Sequence, residues 1–201
     1  MLTTALRSFV IMKATRLQLF ALSALTLLVM GGIGLLLIVF AHDASLVDFA
    51  ASGLPLKQQL LQGTIFGIAS AVIALGFIRT EWFAESRSFF QQFITELNPS
   101  LPEIVFYSFC AGVGEELLFR GGLQPWLGVW ITAILFIALH GYLSITDITT
   151  TIYGLLMILI SAGFGYLMNH VGLFSSMTAH FWFDVVMFAY LKWGYKSRFV
   201  G

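Results

Sequence analysis

The sequence predicts an all-α fold, a polytopic transmembrane helical bundle of about six membrane spans plus an interfacial amphipathic helix, and three observations carry that prediction. Of the 201 residues 59% are hydrophobic and only 10% charged, against about 25% charged in soluble domains, and the mean hydropathy is +0.92. Apolar runs of roughly 20 residues, long enough to cross about 30 Å of hydrocarbon, recur along the chain. Lys and Arg concentrate in alternate segments between those runs, as the positive-inside rule requires of a multi-pass protein.

The first span is placed at residues 17–41. Arg7, Lys13 and Arg16 precede it in the manner of a signal peptide, but the apolar block is longer than an h-region of about 7 to 15 residues and is read as a retained span. The second span covers 59–78. Residues 79–97, RTEWFAESRSFFQQFITEL, set Trp82, Phe83, Phe89, Phe90, Phe93 and Leu97 among Glu, Gln, Ser and Arg, the pattern of a helix lying in the interface. Asn98-Pro99 ends it, because a residue before proline avoids the α region. Further spans follow at 102–119, 123–142, 148–168 and 172–191. Arg120, Gly121, Gly122 and Pro125 mark a tight connection, or a re-entrant break, between the third and fourth.

With these spans, Arg7, Lys13, Arg16, Arg79, Arg87, Lys192, Lys196 and Arg198 fall on one side, and Lys57 and Arg120 on the other. Both termini are therefore expected in the cytoplasm. The chain divides into N-terminal spans and interfacial helix (1–101), a helical core carrying the polar residues (102–191) and a short basic tail (192–201). Its partner is the lipid bilayer. Ten basic residues balance ten acidic ones, so no basic face marks a nucleic-acid binder. The single cysteine, Cys110, excludes an intramolecular disulfide and a cysteine metal site. Gly63 and Gly67, and Gly163 with Gly165, suit close helix packing and assign no oligomeric state.

Against this apolar background, Gly114-Glu115-Glu116-Leu117-Leu118-Phe119-Arg120 stands out. A charge at bilayer depth costs from about 2.5 to more than 10 kcal/mol, so such residues face a partner or a wet cavity. Glu115 and Glu116 point about 100° apart on a helix and should differ in role. Glu116 and Arg120, spaced i, i+4 with the acid first, suit an ion pair that leaves Glu115 free to face a site. His140 closes the fourth span, with Phe136 one turn earlier on the same face. His180 and Asp184 share a face in the sixth. Four polar groups from three helices can converge.

The chemistry that fits is water activation. A partly desolvated carboxylate is a better general base near neutral pH, and a neighbouring imidazole holds the water or shuttles its proton. Glu115 with His140 supplies that pair, and His180 supplies a donor for a tetrahedral oxyanion. His42 and His170 fall at span ends with no acid one turn away and are expected at the interface. Asp147 suits a helix cap before the fifth span. Trp126, Trp130, Trp182 and Trp193 suit an aromatic belt.

The three motifs, EExxxR, FxxxH and HxxxN/D on successive spans, resemble those of the CPBP intramembrane proteases, the CAAX proteases and bacteriocin-processing enzymes also called the Abi family, over roughly residues 102–191. The resemblance implies a glutamate-dependent intramembrane endopeptidase with no cofactor and a membrane-associated peptide or protein substrate. It implies that Glu115 and His140 activate water while His180 and residue 184 stabilise the oxyanion, with Glu116 and Arg120 as the structural remainder of the first motif. The last position is typically Asn in the CAAX proteases and is Asp184 here, so this carboxyl is either protonated or acts by orienting His180. Bacteriocin leaders, membrane-anchored regulators and lipoprotein fragments are candidate substrates, and a compact chain of this kind is expected in a prokaryotic cell membrane. Two alternatives stay open. Glu115, His140, His180 and Asp184 offer zinc-compatible ligands, although no HExxH accompanies them, and the same buried acids would serve a non-enzymatic transporter, proton relay or bacteriocin-immunity scaffold.

Overall fold

The computed structural model describes residues 15–43 and 45–194. Arg7, Lys13, Lys196, Arg198 and most of the basic tail lie outside the described residues. All regular elements among the described residues are helical: α1 (Arg16–Ala41), α2 (Leu46–Ala51), α3 (Leu56–Ile78), α4 (Ala84–Leu97), α5 (Leu101–Glu116), α6 (Gln124–Leu139), α7 (Ile148–His170) and α8 (Leu173–Ala189). A π-helical stretch, Leu117–Leu123, joins α5 to α6, and another, Tyr190–Gly194, prolongs α8. The fold is the helical membrane bundle that composition predicts.

Caps explain where the helices start and stop. Thr15 and Gln18 form a capping box at α1, and Ser100 and Glu103 form one at α5, each satisfying backbone donors that the first turn leaves unpaired. Asp147 accepts from the Thr150 amide at 3.0 Å and caps α7. Asn98 adopts a left-handed conformation (φ 41°) that ends α4, and Pro99 prevents its continuation.

Contacts along the helices fix their directions. Phe20 stacks on Phe106 at 4.3 Å and Gly34 lies against the backbone of Leu117 and Leu118, so α1 runs parallel to α5. Gly63 lies against Ser175 and Gly67 against Ala179, while the Arg79 Nε donates to the Tyr190 hydroxyl at 3.2 Å, so α3 and α8 run parallel. At Gly63 and Gly67 a Cβ would collide with the backbone of α8; small residues permit this approach. At one end of the bundle Arg16 pairs with Glu103, and Lys192 donates to the Pro99 carbonyl. The described ends of α1 and α8 thus sit together beside the start of α5.

The third and fourth spans differ from the sequence expectation. Arg120, Gly121 and Gly122 do not form a connection; they lie within helical backbone that runs on from Leu101, and the chain reverses at Gly128, whose φ of 73° and ψ of 170° are non-helical. In an uninterrupted helix Glu115 and His140 would be about 37 Å apart at 1.5 Å per residue, yet their side chains lie 3.7 Å apart. Phe119 and Phe136, placed nearly symmetrically about Gly128, meet at 4.9 Å. Positive φ is routine only for glycine, which is why the hairpin folds here. The returning arm, residues 129–139, is about 16 Å long and covers half the hydrocarbon thickness. His140 is thereby delivered to the height of Glu115 instead of to the far surface.

Among the described residues four helical stretches are long and apolar enough to cross a membrane: α1, α3, Leu101–Leu139 and α7. That is fewer than the six spans expected, for two physical reasons. The expected fourth span is the half-length arm, and α8 is a continuous helix of 17 residues whose apolar run is broken by His180 and Asp184. The interfacial helix begins at Ala84, after a short 3-10 turn at Glu81–Phe83.

Candidate active site

The polar residues of α5, α6 and α8 meet in the middle of the bundle. At its base Glu116 is fully buried and Arg120 is 1% exposed. The Arg120 Nη1 lies 3.1 Å from the Glu116 Oε1, the i, i+4 pair that the spacing predicts. The other guanidinium nitrogen, Nη2, donates to the Ser161 carbonyl at 2.9 Å and to its hydroxyl at 2.7 Å. Arg120 also lies over the rings of Phe136 and Phe164, at 4.9 and 5.9 Å from their centroids. Two charges taken out of water need this density of partners, because each alone would cost several kcal/mol in the interior.

Glu116 makes a second contact that sequence reasoning missed. Its Oε1 accepts from the His180 Nδ1 at 2.9 Å. The carboxylate that neutralises Arg120 therefore also sets the His180 ring, and directs Nε2 the other way. Phe164, 5.6 Å from His180 and tilted 24° from its plane, and Phe136, edge-on at 5.8 Å, enclose the imidazole. Ser161 and Phe164 lie in the apolar run of α7, where nothing in the local pattern marks them as neighbours of Arg120 and His180.

Above this base, Glu115 Oε2 lies 3.7 Å from His140 Nε2 and 3.9 Å from His180 Nε2, and His180 Nε2 lies 3.7 Å from Asp184 Oδ2. Glu115 Oε2 is buried with no direct hydrogen-bond partner among the described residues. The structure thus brings together Glu115, His140, His180 and Asp184, over Glu116, Arg120 and Phe136. The 100° between the two glutamates places them on opposite sides of His180.

The end of α6 sets His140. Its Nδ1 lies 2.7 Å from the Phe136 carbonyl, and a carbonyl only accepts, so Nδ1 carries a proton and a neutral ring presents Nε2 as a bare acceptor to Glu115. The Phe136 ring lies 4.3 Å from the imidazole. His140 is the C-cap residue of α6 and precedes Gly141, whose φ is 75°. The Gly141 amide donates to Ala138 and the Tyr142 amide to Ile137, the paired bonds of a Schellman cap. A cavity of about 440 Å³ reaches from His140 and Asp184 to Phe90, Phe93 and Ile94 of α4.

The remaining sequence candidates lie elsewhere. His42 donates to the Gly122 carbonyl at 2.8 Å and packs on Trp126 at 4.4 Å. His170 lies parallel to Tyr166. Trp126, Trp130 and Trp193 are about half exposed on the outside of the bundle. Among the described residues no three His, Cys, Asp or Glu side chains are arranged to hold a metal ion.

Helical membrane architecture and three polar motifs converging on one buried point define a class of intramembrane protein. Residues 97–186 match the family described as Type II CAAX prenyl endopeptidase Rce1-like, so this segment is similar to that family. It is also 35% identical over 101 residues to a Bacillus subtilis (strain 168) protein described as Uncharacterized protein YpbD, covering 49% of this chain and 51% of that one. The chain thus spans about half the length of that curated relative. No solved structure matches it.

Proposed function

We propose that this protein is an intramembrane endopeptidase that hydrolyses a peptide bond of a membrane-associated substrate with water activated by Glu115 and His140. The observation that carries the reading is the buried, unpartnered Glu115 Oε2 facing the bare Nε2 of His140 at 3.7 Å. Two acceptors at that separation suit one water molecule, whose two O–H groups donate one to each. Its lone pair is then directed outward, at a peptide carbonyl carbon.

The reaction follows from these roles. As the water oxygen bonds to the carbonyl carbon, Glu115 takes a proton and the carbonyl π pair moves onto oxygen. Collapse of the tetrahedral intermediate breaks the C–N bond, and the proton passes to the departing amine. With Nδ1–H committed to Glu116, His180 offers an Nε2–H to the oxyanion in its doubly protonated form, and the carboxylates of Glu116 and Asp184 on either side balance that charge. Asp184, on the far side of Nε2, orients the ring.

The last assignment makes a direct prediction. Asp184→Asn keeps a polar partner and should retain more activity than Asp184→Ala, compared by initial cleavage rates; equal losses would exclude an orienting role. Zinc is the competing explanation for the same ligands. The expected result is a purified protein without stoichiometric metal whose turnover survives chelation, checked by elemental analysis and by assay in a chelator. Loss on chelation with recovery on adding zinc would assign the activity to the metal.

The family's description supports a prenylated CAAX-type peptide as the first substrate to test, with bacteriocin leaders, membrane-anchored regulators and lipoprotein fragments beside it. Arg16, Arg79, Arg87 and Lys192 lie at one end of the bundle and Lys57 at the other, which favours that end as the cytoplasmic face of a prokaryotic membrane. Substrate trapping on Glu115→Gln in native membranes, followed by peptide identification, tests the reading: enrichment of cleavable membrane peptides supports it, and capture of none counts against it.

A further inference from the structure

Peptide hydrolysis in this site has an electrostatic shortfall. An oxyanion forming beside His180 also forms within reach of Asp184, and in an apolar setting an ionised carboxylate nearby opposes it. Oxyanion sites of hydrolases commonly combine more than one preorganised donor. A second, neutral donor would supply what the last motif position, Asp184 where an Asn would carry an N–H, does not.

The chain geometry places one beside His140. Because Gly141 adopts positive φ and closes the Schellman cap, Tyr142 folds back along the helix end. Its ring lies parallel to the His140 ring, within 4° and at 6.4 Å, and packs edge-on to Tyr153 at 5.4 Å. It lines the same cavity as His140 and Asp184, and it packs against both hydrophobic clusters, the one containing Phe183 and the one containing Phe136. Gly154 leaves room for its carbonyl against α7. Two other hydroxyls line this cavity. That of Thr150 is engaged, donating to Asp147 Oδ2 at 2.6 Å, and Tyr153 is 9% exposed within the Phe183 cluster. A phenol, with an ordinary pKa of about 10, keeps its proton at neutral pH and remains a donor.

We propose that Tyr142 is a further catalytic residue, its hydroxyl donating a hydrogen bond to the carbonyl oxygen of the scissile bond as that oxygen becomes the oxyanion. The assignment rests on the hydrolase reading above. It requires no change of covalent bonding at the tyrosine, which stabilises the intermediate and retains its proton.

The test is Tyr142→Phe, which keeps the ring and its packing and deletes only the hydroxyl. Wild-type, Tyr142→Phe and, as a control, Tyr166→Phe proteins are assayed in one detergent or vesicle preparation with a quenched-fluorescent prenylated CAAX peptide and with peptides recovered by trapping. Tyr142→Phe should lower kcat about 100-fold with KM and thermal midpoint within experimental error of wild type, and Tyr166→Phe should change neither constant. Should Tyr142→Phe match wild-type kcat, the oxyanion assignment is overturned while the hydrolase reading stands. A rise in KM at constant kcat would also overturn it, by making the hydroxyl a ground-state binding group. If the wild-type protein cleaves none of the peptides, the hydrolase reading falls and the Tyr142 assignment falls with it.

Discussion

Replacing Glu115 by Gln should abolish peptide cleavage while leaving a folded, membrane-inserted protein that still binds substrate. Gln is nearly isosteric with Glu, so the packing of the α5 face, with the side chain 13% exposed, is preserved. What changes is the capacity to take a proton. The amide has no comparable basicity, and the water between positions 115 and 140 loses its acceptor of protons. General base catalysis is worth about 10²- to 10⁴-fold, and because Glu115 is the one carboxylate facing His140 in this way, the upper end of that range is expected in kcat. Binding should survive. The measurement is kcat and KM on a trapped peptide, with thermal unfolding in detergent alongside. Turnover within about tenfold of wild type, well short of the loss expected on deleting a general base, would falsify the assignment of Glu115 to that role. His140→Gln should give a smaller loss, since the imidazole holds the water and Glu115 still accepts its proton.

The helical membrane class and the convergence of Glu115, His140 and His180 were legible in the sequence because both rest on cost. Composition excludes a soluble chain, and buried ionisable groups must find one another. Helical spacing also marks the Glu116–Arg120 pair and the shared face of His180 and Asp184. Other features were not legible because they depend on tertiary arrangement. Gly121 and Gly122 read as a break, yet the π-helical stretch Leu117–Leu123 continues through them, where glycine relieves contact with Ile38 and Leu37 of α1. The true reversal, at Gly128, carries the same residue type with no local sign that its φ is positive. Hydropathy counted the arm after it as a full span because the apolar run is continuous whichever way the chain turns. Ser161 is one more serine in an apolar helix until α7 packs beside Arg120. The double role of Glu116 follows from the placement of α8, which spacing within α5 cannot express.

That double role makes Arg120→Ala the substitution with the largest expected effect on stability. Arg120 is 1% exposed and Glu116 fully buried, so removing the guanidinium leaves a buried carboxylate with His180 as its remaining charged neighbour, and frees the Ser161 hydroxyl from its bond. Breaking a buried ion pair by deleting one member costs about 3–5 kcal/mol, because the other charge stays desolvated. The lost packing of the guanidinium against Phe136 and Phe164 adds to this. Thermal unfolding in detergent should show a large fall in midpoint for Arg120→Ala, and a small change if the pair were ornamental. The double variant Glu116→Gln with Arg120→Met separates charge from shape. It removes both charges, fills most of the volume and leaves a neutral amide beside His180, so it should recover most of the lost stability, the coupling being read from the full cycle with each single variant. Activity should not recover with it. The substituted amide at position 116 lacks the charge that holds His180 doubly protonated, and the oxyanion donor is weakened even in a well-folded protein. Recovery of stability without recovery of kcat would establish that the pair serves the site as well as the bundle, whereas recovery of both would reduce Glu116 to a counter-ion for Arg120.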